Sequence, residues 1–366
     1  MSPLPPPLQT EQRTYVRAKS RLLSYFAGCD YYRLSSHPRV LQALRTGLDR
    51  HGLSVSASRL TTGNHRAYGA LEAALTEFFD APTATLCSLG YTPNLIVAQA
   101  LAGRFTHALL DARSHGSLQD AAQFLDCPIL KFPHRDPAGL AELLQRLSRS
   151  RPLVMTDGLF SHDGSAAPLA DYLALLPPEG RLLVDDAHGA GLLGARGQGA
   201  LEHAAVPRDR IIQTLTLSKA FGVYGGAVLG PPELRDAILE RSRMFVGSTP
   251  LPLPLAHAAG VAVRHLRAHP RLRTRLQDIA DRFKADLRAA GYSLPDHPGP
   301  IVPIVPRDAT DTRRWEQRLL KAAIHPPLIR YLGGPANGYF RFVLSSEHTP
   351  AQVNALRTVF RELAPD

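Results

Sequence analysis

LLVDDAHGAG, residues 182–191, and TLTLSKAFG, residues 214–222, decide how this chain folds. Each begins as an apolar run that suits a strand covered on both faces. Each then closes on residues that carry chemistry: Asp185 and His188 in the first, Lys219 after Thr216 and Ser218 in the second. Outward from these two, the runs ATLCSL (84–89), HALLDA (107–112), RPLVMTDG (151–158) and GGAVLG (225–230) read the same way. Helical patterns separate most of them, as in AGLAELLQRLSR (138–149), and RVLQALRTGLDRHG (39–52) and YGALEAALTEFFD (68–80) precede them. This alternation predicts an α/β fold around a mostly parallel central sheet. From 251 onward, TPLPLPLAHAAG leads into long helical patterns and the strand YFRFVLSS, which predicts a smaller α+β domain. The expected organisation is an N-terminal segment (1–45), a large domain (46–250) and a small C-terminal domain (251–366). Residues 1–20 show little pattern.

Composition narrows the class. The 366 residues are 44% hydrophobic, enough for a large core and more than one unit of ~100–200 residues. No apolar stretch reaches the ~18–20 residues that cross a bilayer, and the start MSPLPPPLQT lacks the pattern of a secretory signal. Three widely spaced cysteines give neither a disulfide framework nor metal-ligand spacing, so a reducing cytoplasm and no metal are expected. The net charge is +10, but its arginines (Arg146, Arg149, Arg208, Arg241 and Arg271 among them) are scattered and not interleaved with aromatics. Nucleic acid is therefore not the expected partner. A solvated surface accounts for the charge, and the field would attract a polyanionic small molecule such as a coenzyme A thioester.

In an open parallel sheet, ligands sit beyond the carboxyl ends of the strands. A strand-end lysine beside small hydroxyl residues suits an amine that captures an aldehyde. A strand-end carboxylate suits the nitrogen of a heterocycle. Alone, such an Asp is more often a helix cap and such a Lys more often solvated. Together they meet the needs of pyridoxal 5'-phosphate (PLP), which takes a covalent lysine, a carboxylate against the pyridine nitrogen, and amides and hydroxyls around its phosphate.

Seven motifs carry a resemblance in order along the chain: SRLTTGNHRAYGALE (58–72), SLGYTPN (88–94), DARSHGSLQD (111–120), TDGLFSHDG (156–164), VDDAHGAGLLG (184–194), TLSKAFGVYGG (216–226) and FRFVLSSEHT (340–349). The set resembles the α-oxoamine synthases, fold-type I PLP-dependent acyltransferases. The resemblance implies that Lys219 anchors PLP and later moves the substrate's Cα proton. Asp185 would face the ring nitrogen, His188 the phenolic oxygen, with Ser161 near it, and His115 would stack on the ring. Gly90, Tyr91 and Thr216 would hold the phosphate. Thr249, or Ser248 beside it, would reach the phosphate of the neighbouring subunit, which implies a homodimer with shared active sites. Arg341 would clamp the amino-acid carboxylate, as a planar guanidinium can. A loop His capping a turn and a strand Arg facing solvent are the plainer readings of His115 and Arg341.

The implied reaction is decarboxylating condensation of a small amino acid with an acyl-CoA or acyl-carrier-protein thioester, giving an α-amino ketone. Within the family, VDDAHGAGLLG and the tail from IHPPLI to FRFVLSSEHT are closest in spelling to the member that joins L-alanine to a pimeloyl thioester. Another acyl chain, glycine or serine, an aminotransferase on the same fold, and a non-catalytic PLP-binding sensor are the alternatives. The chain departs from the family pattern at Cys29, where an Asn is usual and which also suits a small core residue, and at Leu89, Asp157 and Tyr68.

Overall fold

The computed structural model describes residues 5–147, 150–330 and 335–364. Met1–Leu4 of the Pro-rich start and the last two residues of AGLAELLQRLSR, Ser148 and Arg149, lie outside the described residues.

The main sheet has seven strands, in the order Thr83–Cys87, Gly226–Gly230, Ile211–Thr216, Arg181–Asp185, Pro152–Asp157, His107–Asp111 and Ile129–Phe132. Gly226–Gly230 runs antiparallel to both neighbours, and the other six share a direction. The carboxyl ends of those six therefore line one edge. Six of the seven strands follow from the apolar runs. Ile129–Phe132 does not, because it is an edge strand with Lys131 exposed and only Phe132 buried.

The chain divides into two compact units. Leu34–Phe160 with Ser165–Pro270 forms the larger; the segment before Leu34, Ser161–Gly164 and the chain from Arg271 form the smaller. The expected boundaries at 45/46 and 250/251 thus move to 33/34 and 270/271. Packing explains the shift. Helix Leu253–Ala268 lies against helices Pro38–His51 and Arg66–Phe79 of the larger unit. At Gly47 the backbones approach so closely that a Cβ would stand 2.9 Å from Pro254 Cα. Tyr68 adds a hydrogen bond to the Leu251 carbonyl at 2.8 Å.

The smaller unit has an antiparallel sheet of Ile301–Ile304, Tyr339–Val343 and Leu328–Ile329, with helices Arg271–Ala289, Ala309–Lys321 and Pro350–Glu362. Phe283, Trp315, Phe340, Phe342 and Phe360 form its aromatic core. It also holds a meander absent from the sequence reading: Gln9–Glu11, Tyr15–Ala18 and Arg21–Ser24. Its turns put Gln12, Arg13 and Lys19 at φ of 43°, 53° and 54° without a Gly or Asn to signal them. Arg13 ties the meander to Glu347 at 2.8 Å. Among the described residues, no helix is long and apolar enough to cross a membrane.

Candidate active site

At the common edge of the sheet a cleft of about 310 Å³ is lined by Gly90, Tyr91, His115, Asp157, Asp185, His188, Thr216 and Lys219, with Leu89 and Tyr224 at its rim. Seven residues singled out from sequence thus meet in one place, brought there by four strand ends, and a fifth strand end adds Asp157. Asp185 ends Arg181–Asp185, and Lys219 lies three residues past Ile211–Thr216. Asp157 ends Pro152–Asp157 and sits opposite Asp185 in the parallel register. His115 follows His107–Asp111, and Gly90 and Tyr91 follow Thr83–Cys87.

The two consecutive aspartates part company by geometry. Asp185 is 5% exposed and accepts from Asn94 Nδ2 at 2.6 Å, Ser117 Oγ at 3.2 Å and its own turn's Ala187 amide at 3.1 Å. Three converging donors are what a carboxylate anion calls for. Asp186 turns away, accepting from the Ala200 amide at 2.9 Å and Gln213 Nε2 at 2.6 Å. Its carboxyl occupies the space where Gly158, Gly189 and Gly199 would carry side chains: a Cβ on any of them would stand within 2.6 Å of a carboxyl oxygen. Burial pushes the Asp186 pKa up to about 7. Asp157 is also drawn well above the usual carboxylate range, first by burial and then by Asp185. Its Oδ2 accepts the His115 amide at 2.8 Å.

His115 satisfies both of its readings. Its Nδ1 accepts from the Ser117 amide at 3.2 Å and caps helix Gly116–Ala122, while the residue lines the cleft. An accepting Nδ1 leaves Nε2 to carry the proton of the neutral ring. Desolvation lowers the pKa, against a smaller opposing pull from Asp185. The Tyr91 ring meets it edge-on at 5.8 Å.

Helix Thr92–Ala100 begins at Tyr91 with no side chain capping it, so the amides of its first turn can serve an anion. Gly90 lets the backbone press on Thr216: a Cβ there would lie 2.1 Å from Thr216 Oγ1. A lysine, a buried carboxylate held by three donors, a flat neutral imidazole and an amide-and-hydroxyl cradle in one cleft fit PLP.

Sequence reasoning missed the support behind Asp185. Asn94 is buried in helix Thr92–Ala100; its Oδ1 accepts from Thr214 Oγ1 at 2.7 Å and its Nδ2 also donates to Ser117 Oγ at 2.9 Å. Its place inside the SLGYTPN motif was the one sequence signal, and its burial shows only in the structure.

Three expected residues do not line this cleft. Thr249 lines another cleft of the larger unit, about 220 Å³, with Ser248 and Arg59, and its carbonyl accepts from Ser88 Oγ at 2.9 Å. Ser161 and Arg341 belong to the smaller unit, where Arg341 Nη1 donates to the Ser161 carbonyl at 3.1 Å. Arg341 Nε is buried with no acceptor among the described residues. Cys29 and Arg341 both bear electrostatically on Tyr25 and Tyr31, which burial raises in pKa.

Sheet order, cleft and donor set define a PLP-dependent transferase of fold type I. The family model for aminotransferases of class I and II matches residues 28–360, and the chain belongs to that family. A Methylococcus capsulatus 8-amino-7-oxononanoate synthase is 38% identical over 93% of this chain and 89% of its own length. Serine palmitoyltransferase from S. paucimobilis, solved with PLP and myriocin bound, superposes with a TM-score of 0.90 at 27% identity, covering 97% of this chain and 90% of its own. The Francisella tularensis 8-amino-7-oxononanoate synthase structure gives 0.78 at 26% identity, covering 92% and 96%. These relatives place the chain among the α-oxoamine synthases, as a PLP-dependent acyltransferase.

Proposed function

We propose that the enzyme condenses L-alanine with a pimeloyl thioester, with loss of carbon dioxide, to give 8-amino-7-oxononanoate. The observation that carries this reading is the near full-length similarity to synthases of that name, beside a cleft holding Lys219 and Asp185. Bound in the cleft, PLP supplies an electron sink conjugated to the amino acid's Cα.

The chain's own residues do the rest. Lys219 holds the cofactor through Nζ and, once displaced, takes the Cα proton at that atom. Asp185, fixed by Asn94 and Ser117, keeps a proton on the pyridine nitrogen. His188 donates to the phenolic oxygen, with Ser161 on that side. The neutral His115 ring covers the heterocycle's face. Gly90, Tyr91 and Thr216 hold the phosphate. Arg341 clamps the substrate carboxylate, for which its buried Nε is available. Thr249 reaches the phosphate of a second copy, making the enzyme a homodimer, and its place is the cytoplasm. Both CoA and carrier-protein thioesters fit this scheme.

The test is release of free thiol across a matrix of amino acids and acyl-CoAs of different lengths. An optimum for alanine with pimeloyl is expected, and Lys219→Ala should abolish release. Indifference to the pimeloyl chain removes the substrate assignment, and transamination without thiol release removes the acyltransferase reading.

A further inference from the structure

We propose that Lys284 is a positioning residue for Arg341, acting through the turn 297–299 and the segment Ser161–Gly164. The proposal rests on the reading of Arg341 as the carboxylate clamp.

Lys284 is 4% exposed on helix Arg271–Ala289 and has no carboxylate hydrogen-bonded to it in the described residues. Its Nζ donates instead to two backbone carbonyls, His297 and Gly299, each at 2.6 Å. A buried lysine spent on two carbonyls calls for an explanation, because burying its charge is costly. Those carbonyls sit at a junction. The Gly299 amide donates to the Gly164 carbonyl at 3.0 Å. The two glycines touch backbone to backbone, where a Cβ on Gly299 would stand 2.8 Å from Gly164 Cα. Three residues before Gly164 is Ser161, whose carbonyl receives Arg341 Nη1. Downstream, the Pro300 carbonyl accepts the Leu344 amide at 2.9 Å, and Pro303 pairs with Arg341 in the sheet. The segment anchored by Lys284 therefore fixes both the strand that carries Arg341 and the carbonyl against which its guanidinium leans.

Charge enters as well. Asp281 and Arg288 face Lys284 from its own helix and Asp296 from the following loop, while the His297 ring lies 4.0 Å from Asp163. Burial, the largest influence, brings the Lys284 pKa down to about 8. Above that pH the amine is neutral and its hold on the carbonyls weakens. Substrate affinity through Arg341 then falls with it.

Steady-state kinetics of the holoenzyme at saturating acyl thioester test this, with L-alanine as the varied substrate. Lys284→Met is expected to raise KM for alanine about tenfold while kcat stays within about twofold. Wild-type KM should climb above about pH 8. In Lys284→Arg, which stays charged, that climb should be absent. Arg341→Gln is the companion variant. If it raises KM while Lys284→Met is silent, or if Lys284→Arg follows the wild-type pH profile, this inference is overturned and the clamp stands. If Arg341→Gln leaves KM unmoved, the clamp itself falls. Should Lys284→Met not fold, the pH comparison with Lys284→Arg decides.

Discussion

Asn94 binds the Asp185 carboxylate to the protein core. Its amide stands between the Thr214 hydroxyl and Asp185, so truncation removes a buried hydrogen bond from each, at about 1–3 kcal/mol for the pair. Asn94→Ala is expected to weaken PLP binding about tenfold, read by titrating apoenzyme with PLP and following absorbance. An Asn94→Ala enzyme that binds PLP as tightly as the parent breaks the link between this amide and the ring nitrogen. Asp185 and Lys219 were legible because a charged residue closing an apolar strand has no packing reason to be there. Gly189 and Gly199 make room for Asp186, a residue that turns its back on the cleft. Asn94, Ser117 and Thr214 stayed hidden because they act through Asp185. Which polar side chains meet behind a carboxylate depends on helix rotation and strand register, and neither is written in a local pattern.

Elements show the same division between what periodicity reveals and what contact decides. Helix Pro38–His51 was plain from its apolar spacing, whereas its interior Gly47 goes against propensity, since Gly in a helix costs about 0.5–1 kcal/mol relative to Ala. The structure gives the reason: helix Leu253–Ala268 crosses there at backbone distance. Gly47→Ala should lower stability by about 1–3 kcal/mol, because the neighbour in the way is main chain. Gly69, in helix Arg66–Phe79, has nothing within 4 Å of its Cβ direction, and Gly69→Ala should raise stability by about 0.5–1 kcal/mol. Chemical denaturation of the two variants measures the contrast; equal effects would mean that the helix crossing does not set the glycine. That crossing also moved the domain boundary. The Pro-punctuated stretch at 249–260 marks a change of texture, but texture does not say which neighbours a helix will find. The N-terminal meander was unreadable for the opposite reason: its turns use Gln, Arg and Lys where Gly or Asn would have announced them.

At the scale of the molecule, two buried titratable groups set opposite pH dependences in the two units. His348, in the smaller unit, donates Nε2–H to the Tyr25 carbonyl at 3.0 Å and accepts the Ser345 amide on Nδ1 at 3.0 Å, with its ring stacked on Phe26. The neutral ring is fully used, and a second proton would face a donor. Burial first, then Arg33, lowers its pKa from 6.5 to about 3. The unfolded chain binds that proton below 6.5 and the folded one does not, so stability falls as pH drops from 6.5 toward 3, by roughly 3 kcal/mol at about pH 4. Asp186, in the larger unit, works the other way. Its pKa rises from 3.8 to about 7, so the stability it contributes is present below 3.8 and lost as pH climbs through 7. Acid should therefore loosen the smaller unit while relieving the larger. Calorimetry is expected to show one component moving down in temperature between about pH 6.5 and pH 4, and His348→Gln, which cannot take the proton, should flatten that slope. A wild-type slope retained in His348→Gln assigns the acid lability to other groups, whereas its loss places the acid limit of the whole enzyme on one ring between two backbone groups.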